Sequence, residues 1–284
     1  MPKTTKKTLN CGGRLLDLTQ PAVMGILNIT PDSFFADSRA SLSHVADRAQ
    51  QMLDDGATLL DIGGYSTRPG AAPVSPTEEA DRVLPIIDVL SSTFPDAVIS
   101  VDTFRASVAR QAVKAGAALI NDVAGGSLDP DMFATVAELN QSKSVPYVLM
   151  HLRGTPQTMQ SFAIYQNITT EVIDELAVRL AELRALGVKD IILDPGFGFA
   201  KTPAQNFELL HHLLSFRLFD EPLLVGLSRK TTIWKTLNIK PENALNGTTV
   251  LNTVALLNGV SILRVHDVKE AVEAVKLIHK LTFF

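Results

Sequence analysis

Eight short apolar runs recur along this chain, and each ends in a polar cluster. Val23-Met-Gly-Ile-Leu27 leads into Asn28-Ile-Thr-Pro-Asp-Ser-Phe-Phe35, and Thr58-Leu-Leu-Asp-Ile62 carries Asp61 into Gly63-Gly64. The pattern returns at Ser100-Val-Asp-Thr103, Asn121-Asp122, Met150-His-Leu-Arg153, Asp194-Pro-Gly-Phe-Gly-Phe199, Gly226-Leu-Ser-Arg-Lys230 and Arg264-Val-His-Asp267. Short, nearly continuous apolar strands separated by helical stretches indicate a parallel sheet buried on both faces. Chemistry gathered at the C-terminal end of every strand is the arrangement of a (β/α)8 TIM barrel, whose active site lies on the loops that follow the strands.

The helical stretches between the runs carry their own stop and start signals. Ser75-Pro-Thr-Glu-Glu79 combines a capping hydroxyl, a proline tolerated in the first turn and carboxylates that suit the helix dipole. Ala106 to Ala115 is helical up to Gly116, Ile168 to Leu186 is closed by Gly187, and Val268 to Leu281 is the terminal helix. The interval between the seventh and eighth strands holds two helical stretches, near Ile233–Leu237 and Thr248–Leu257. Residues 8–20, with Gly12-Gly13 at the centre, are expected to form a hairpin plugging the barrel from below. The whole chain, 1–284, is expected to be one domain, since α/β barrels routinely reach this length.

Composition narrows the class. A hydrophobic content of 46% supports a full core, and a net charge of −4 argues against a nucleic-acid surface. No apolar run approaches a membrane span. The lone Cys11 has no partner within the chain, and the basic N-terminus lacks a following hydrophobic region, so a cytoplasmic protein is expected.

Several rim residues are chemically suggestive. Asn28, where the first strand meets its loop, is either a strand-end amide satisfying backbone or an oxygen ligand for Mg²⁺, which keeps waters and sits beside substrate phosphates. Asp61 is expected to cap loop amides or to pair with an arginine. Asp102 and Asp194, with Asn121 between them, can accept bonds from a donor-rich heterocycle. Pro195-Gly-Phe-Gly-Phe199 offers close backbone approach and aromatic faces for a flat ring. Ser228-Arg229-Lys230 and Arg264-Val-His266 follow the seventh and eighth strands, where such barrels frequently bind phosphate. Arg264 and His266, two apart on one strand face, can converge on an anion. Walker, dinucleotide-binding, zinc-type and Gly-x-Ser-x-Gly patterns are all missing from the sequence. These residues describe a rim for a flat heterocycle and a phosphate, and they do not by themselves name a reaction.

The ordered set resembles the dihydropteroate synthase family of pterin-binding enzymes, from about Leu9 to Leu281. The motifs are Gly25-Ile-Leu-Asn-Ile-Thr-Pro-Asp-Ser-Phe34, Asp61-Ile-Gly-Gly64 with Ser66-Thr-Arg-Pro-Gly70, Ser100-Val-Asp-Thr103 and Ile120-Asn-Asp-Val123. Gly154-Thr-Pro156, Asp194-Pro-Gly-Phe-Gly-Phe199, Ser228-Arg-Lys230 and Arg264-Val-His-Asp267 complete them. The resemblance implies condensation of 7,8-dihydropterin-6-ylmethyl diphosphate with 4-aminobenzoate, giving dihydropteroate and diphosphate. It implies that Asp102, Asn121, Asp194 and Lys230 bind the pterin, with Met150 and Phe199 lining its pocket. Asn28 (through Mg²⁺), Arg264 and His266 would serve the diphosphate, and Thr67, Arg68, Ser228 and Lys230 the aminobenzoate. Asp102, Lys230 and Arg68 would carry the catalytic burden, with the C–O bond breaking before the arylamine attacks. A homodimer is a further expectation of the family.

The chain departs from the family pattern at three places. Tyr65 stands at a position that is commonly Glu, Phe34-Phe-Ala-Asp-Ser38 displaces the loop aspartate Asp37 by one, and Ser261 replaces an Ala-His pair. Two other readings share the pterin-binding residues: a methyltransferase barrel passing a methyl group from a folate to a corrinoid protein, and a catalytically silent pterin-binding paralogue. The first has no need of Lys230 or of the Arg264 and His266 anion site.

Overall fold

A computed structural model describes residues 6–29, 39–67 and 73–281. The antiparallel pair β1 (Thr8–Cys11) and β2 (Arg14–Asp17) comes first. Then follow β3 (Ala22–Asn28), α1 (Arg39–Asp54), β4 (Leu59–Gly63), α2 (Pro76–Thr93), β5 (Val98–Asp102), α3 (Ala106–Lys114), β6 (Leu119–Asp122) and α4 (Met132–Lys143). The second half comprises β7 (Tyr147–Met150), α5 (Ile168–Ala185), β8 (Ile191–Asp194), α6 (Pro203–His211), β9 (Leu224–Val225), α7 (Thr231–Thr236), α8 (Leu245–Leu257), β10 (Ile262–Val265) and α9 (Val268–Leu281).

The strands β3 to β10 form one parallel sheet in the order β8-β7-β6-β5-β4-β3-β10-β9. A bridge between Leu193 and Leu223 brings the two edges together, so the sheet curls into a nearly closed TIM barrel. The seventh barrel strand, β9, has only two residues, because Gly226 and the turn through Arg229 end it early. Local signals explain the elements. Ser75 caps α2, its hydroxyl accepting from the Glu78 amide at 3.1 Å, and Pro76 opens the helix. Thr202 and Gln205 form a reciprocal capping box at the start of α6. Two helices, α4 and α6, add to the helical stretches read from the sequence. Helix α4 turns Thr135 and Asn140 inward beside Met132, Val136 and Leu139, which blurs its apolar stripe.

Strand alternation divides the core. One set of side chains, including Val23, Leu60, Ile62, Ile99, Val101, Leu149 and Leu193, packs outward against the helices. The other set forms the floor of the barrel, with one residue from each barrel strand: Met24, Leu59, Val98, Leu119, Val148, Ile192, Leu224 and Ile262. Leu9, Cys11, Leu16 and Leu18 of the hairpin close this floor from below, and Leu9 and Cys11 are fully buried. Full burial of a leucine contributes about 1.5–3 kcal/mol, so the hairpin has a strong reason to stay docked. The plug expected from residues 8–20 is thus the observed one.

Candidate active site at the barrel mouth

Because strand side chains alternate, the residue two positions beyond each floor residue also faces the barrel interior. That second ring is Ile26, Asp61, Ser100, Asn121, Met150, Asp194, Gly226 and Arg264. Ring three includes Asn28, Gly63 and Asp102, which lie side by side in register. The apolar floor therefore gives way to polar and charged groups within one strand step. Seven of the residues singled out from sequence occupy these two rings: Asn28, Asp61, Asp102, Asn121, Met150, Asp194 and Arg264.

Arg264 organises the interior. Its Nε donates to Asp61 Oδ2 at 2.6 Å and its Nη2 to Asp102 Oδ2 at 2.6 Å. Asp61, fully buried, also accepts from Asn121 Nδ2 at 2.9 Å. The expected arginine partner of Asp61 is therefore Arg264. Asp61 Oδ1 and Ser100 Oγ are buried without a partner among the described residues. Polar atoms orphaned in a buried position are costly, so they mark a place built for a ligand or water. Burial pushes the Asp102 carboxyl above the usual range, Arg264 opposes this, and the carboxylates Asp61, Glu79 and Asp122 reinforce it. Burial likewise raises Asp194, against the pull of Lys230 and a bond from the Gly196 amide at 2.7 Å.

Lys230 lies beside Arg264 over Gly226, where an added Cβ would be 3.7 Å from the Lys230 ammonium and 3.9 Å from Arg264 Cβ. Its ammonium donates to the Phe197 carbonyl and stands 4.7 Å from the centre of the Phe199 ring. Burial lowers its pKa to about 8, with Asp194 opposing that shift. Gly198 has φ +79°, and a Cβ there would lie 2.9 Å from Lys230 Cδ, so glycine fits both the turn and the packing. Met150 is buried in register with Asp194, and Phe199 is half-buried at the rim.

His266 lies one strand step above Arg264. Its Nδ1 is 3.1 Å from Ser228 Oγ, which also accepts from the His266 amide at 3.2 Å. Arg264 and His266 thus share a strand face, but Arg264 is turned into the barrel by two carboxylates while His266 packs with Ser228. Arg229, between Ser228 and Lys230, points away: its Nε and Nη2 clasp Asp267 at 2.9 and 2.8 Å. Its part is to brace the loop, not to line the mouth. Asn28 is exposed at the rim. Asn28 Oδ1 and Asp102 Oδ2 each lie 3.6 Å from the point a Gly63 Cβ would take, so that glycine leaves a cradle between two oxygens.

Thr67 is half-buried at the end of the described segment after β4, whereas Arg68 and the first loop with Asp37 lie outside the described residues. Tyr65 meets the Phe104 ring edge-on with centroids 5.1 Å apart, lies under Arg105, and accepts a bond from Gln157 at 2.7 Å. The tyrosine thus serves as an anchor between three loops. Sequence reasoning missed one group. Lys201 is 3% exposed, and its ammonium reaches His151 Nδ1, Gly196 O and Phe199 O. No spacing rule singles out a lysine two residues beyond Phe199.

The fold and the site define a TIM barrel whose mouth gathers buried carboxylates, an amide and an arginine above an apolar floor. The model of the pterin binding enzymes matches residues 24–266. The dihydropteroate synthase of Escherichia coli (strain K12) is 42% identical over 269 residues, covering 94% of this chain and 93% of its own length. Two solved structures of Xanthomonas albilineans dihydropteroate synthase superpose closely. The one with 4-aminobenzoic acid has a TM-score of 0.89 at 38% identity, covering 98% of this chain and 99% of its own. The one in complex with 7,8-dihydropteroate has a TM-score of 0.84 at 34% identity, with the same coverage. The chain belongs to the pterin-binding enzyme family and, within it, to the dihydropteroate synthases, which are transferases.

Proposed function

We propose that the chain joins 7,8-dihydropterin-6-ylmethyl diphosphate to 4-aminobenzoate, releasing diphosphate, with the site residues in the following roles. The observation that carries this reading is the second ring, where Asp61, Asn121, Asp194 and Arg264 gather above an apolar floor. A pterin presents a row of N–H donors along one edge, and Asp102, Asn121 and Asp194 supply acceptors at the matching depth. Met150 and Phe199 would cover its faces, and Lys230 would donate to its ring acceptor atoms. As the C–O bond to diphosphate breaks, positive charge grows on the pterin, and the carboxylates of Asp102 and Asp194 offset it. The arylamine nitrogen then forms the new C–N bond and loses a proton. That nitrogen is already unprotonated near neutrality, so no strong general base is required.

His266, Ser228 and the Nη1 of Arg264, which bonds no described residue, would meet the departing diphosphate, and Thr67 and Arg68 the aminobenzoate. Among the described residues, no group of three His, Cys, Asp or Glu side chains could cage a metal. The donors present still suit Mg²⁺, since the exposed Asn28 amide oxygen leaves room for waters and substrate phosphate oxygens. Bound there, Mg²⁺ would neutralise charge on the diphosphate.

No helix among the described residues is long and apolar enough to cross a membrane. The single cysteine, Cys11, fits a reducing cytoplasmic setting, and burial pushes its thiol up to about 12, leaving it inert. Residues 1–284 act as one domain in this reading, the hairpin sealing the barrel floor without founding a second core. The exposed Val250 and Leu257 of α8 and Leu277 and Leu281 of α9 support pairing of two copies. The test is direct: purified protein with pterin diphosphate, 4-aminobenzoate and Mg²⁺ should release diphosphate and form dihydropteroate in equal amounts. Release without the arylamine product would sink the assignment.

A further inference from the structure

Lys201 is buried beneath the loop that links Asp194 to Phe199, and it touches no carboxylate. Its three ammonium protons meet three neutral acceptors: His151 Nδ1 at 2.9 Å, Gly196 O at 3.0 Å and Phe199 O at 3.0 Å. A charge so placed is expensive to bury, and an apolar side chain would fill the same space at lower cost. The loop it holds is unusual, for Gly196, Gly198 and the non-glycine Ala200 all take left-handed backbone, with Ala200 at φ +48°. The glycines take this backbone freely, and Ala200 is the one residue that does so at a cost. Lys201 ties down both its ends, one next to Asp194 and the other at Phe199.

The support continues outward. With Lys201 donating to Nδ1, the His151 ring must donate from Nε2, and Glu175 Oε2 accepts there at 3.0 Å. Burial and the nearby Lys201 keep His151 neutral, its pKa falling to about 4, as this arrangement requires. Glu175 is in turn fixed by Arg153, whose Nε donates to Oε1 at 2.9 Å. A chain of bonds therefore runs from the surface of α5 to the underside of the ligand loop.

We propose that Lys201 is a positioning residue for the pterin: its ammonium sets the spacing between the Asp194 carboxylate and the Phe199 ring, so that edge and face of the heterocycle are met together. This rests on the reading that the pterin lies between Asp194 and Phe199. Steady-state kinetics of Lys201→Met and Lys201→Gln, each confirmed folded by thermal unfolding, test it. Lys201→Met should raise KM for the pterin diphosphate by about tenfold or more, and leave KM for 4-aminobenzoate within about twofold. Lys201→Gln, which keeps an amide donor for the carbonyls, should lie between Lys201→Met and the parent. An unchanged pterin KM, an equal rise in both constants, or failure of both variants to fold would overturn the proposal. Asp194→Asn separates it from the underlying reading. A normal pterin KM in Asp194→Asn removes the pterin site itself, whereas a raised one beside an unaffected Lys201→Met removes only the role of Lys201.

Discussion

The floor and the mouth of this barrel are built on the same strands, two residues apart, and obey opposite rules. On the floor, eight apolar side chains, one from each barrel strand, pack with four from the hairpin. At the mouth, Asp61, Asn121, Asp194 and Lys201 are buried, Asp61 Oδ1 and Ser100 Oγ lack partners, and Ala200 adopts left-handed backbone. The contrast teaches that one region supplies stability and the other holds groups in positions they would not choose. Substitutions on the floor should therefore change stability and leave chemistry alone, while those at the mouth should do the reverse or both.

The largest effect is expected at Arg264. Arg264→Met removes the partner shared by Asp61 and Asp102, so two buried carboxylates lose their counter-ion. Breaking a buried pair in this way costs about 3–5 kcal/mol, and the loss of transition-state contact should lower kcat/KM by about 10²–10³. Urea unfolding and steady-state assays on one preparation measure both. A stable, active Arg264→Met would end the idea that the mouth depends on this pairing.

At the floor, Leu9→Ala should cost about 2–5 kcal/mol by opening a cavity under the barrel. Turnover at temperatures where the variant stays folded should be unchanged. A large fall in kcat there would show that the two layers are coupled, against the contrast drawn above.

Lys230 gives the two properties opposite dependence on pH. Its folded pKa of about 8 lies below the ordinary lysine value of 10.5. Between those values the unfolded chain binds a proton that the folded chain has lost, so the contribution of Lys230 to stability rises with pH across that window. Pterin binding needs the ammonium as donor and should weaken as pH climbs through about 8. Calorimetric affinity for a dihydropterin without diphosphate, set beside unfolding curves from pH 7 to 10, checks the crossing trends. Lys230→Met should flatten the rise in stability over the part of the window it controls.

The smallest expected change is a gain. Ala200→Gly relieves a left-handed alanine and should add about 1 kcal/mol of stability. Thermal unfolding reads it, and a loss of stability would mean that Lys201 and its neighbours already favour the alanine conformation.

The repeating apolar runs made the barrel legible, because strand and helix signals are local and one parallel topology satisfies eight of them. Ser75, Gly116 and Gly187 marked helix ends for the same reason: caps act over a few residues. Helices α4 and α6 were less legible, since Thr135, Asn140 and Asn206 are buried through long-range packing that no periodicity records. The candidate residues Asp102, Asn121, Asp194, Lys230 and Arg264 could be named from their places at strand ends and from their order. Their partners could not. Arg264 lies 203 residues from Asp61 and 162 from Asp102, yet ring closure puts each pair at 2.6 Å. Lys201 was invisible for a related reason, because its role arises from a loop that folds back over its own ammonium. Local chemistry chose the strands, the caps and the types of group at the mouth. The closure of the barrel alone decided which charges meet, which carboxylates are neutralised and which buried atoms are left for a ligand.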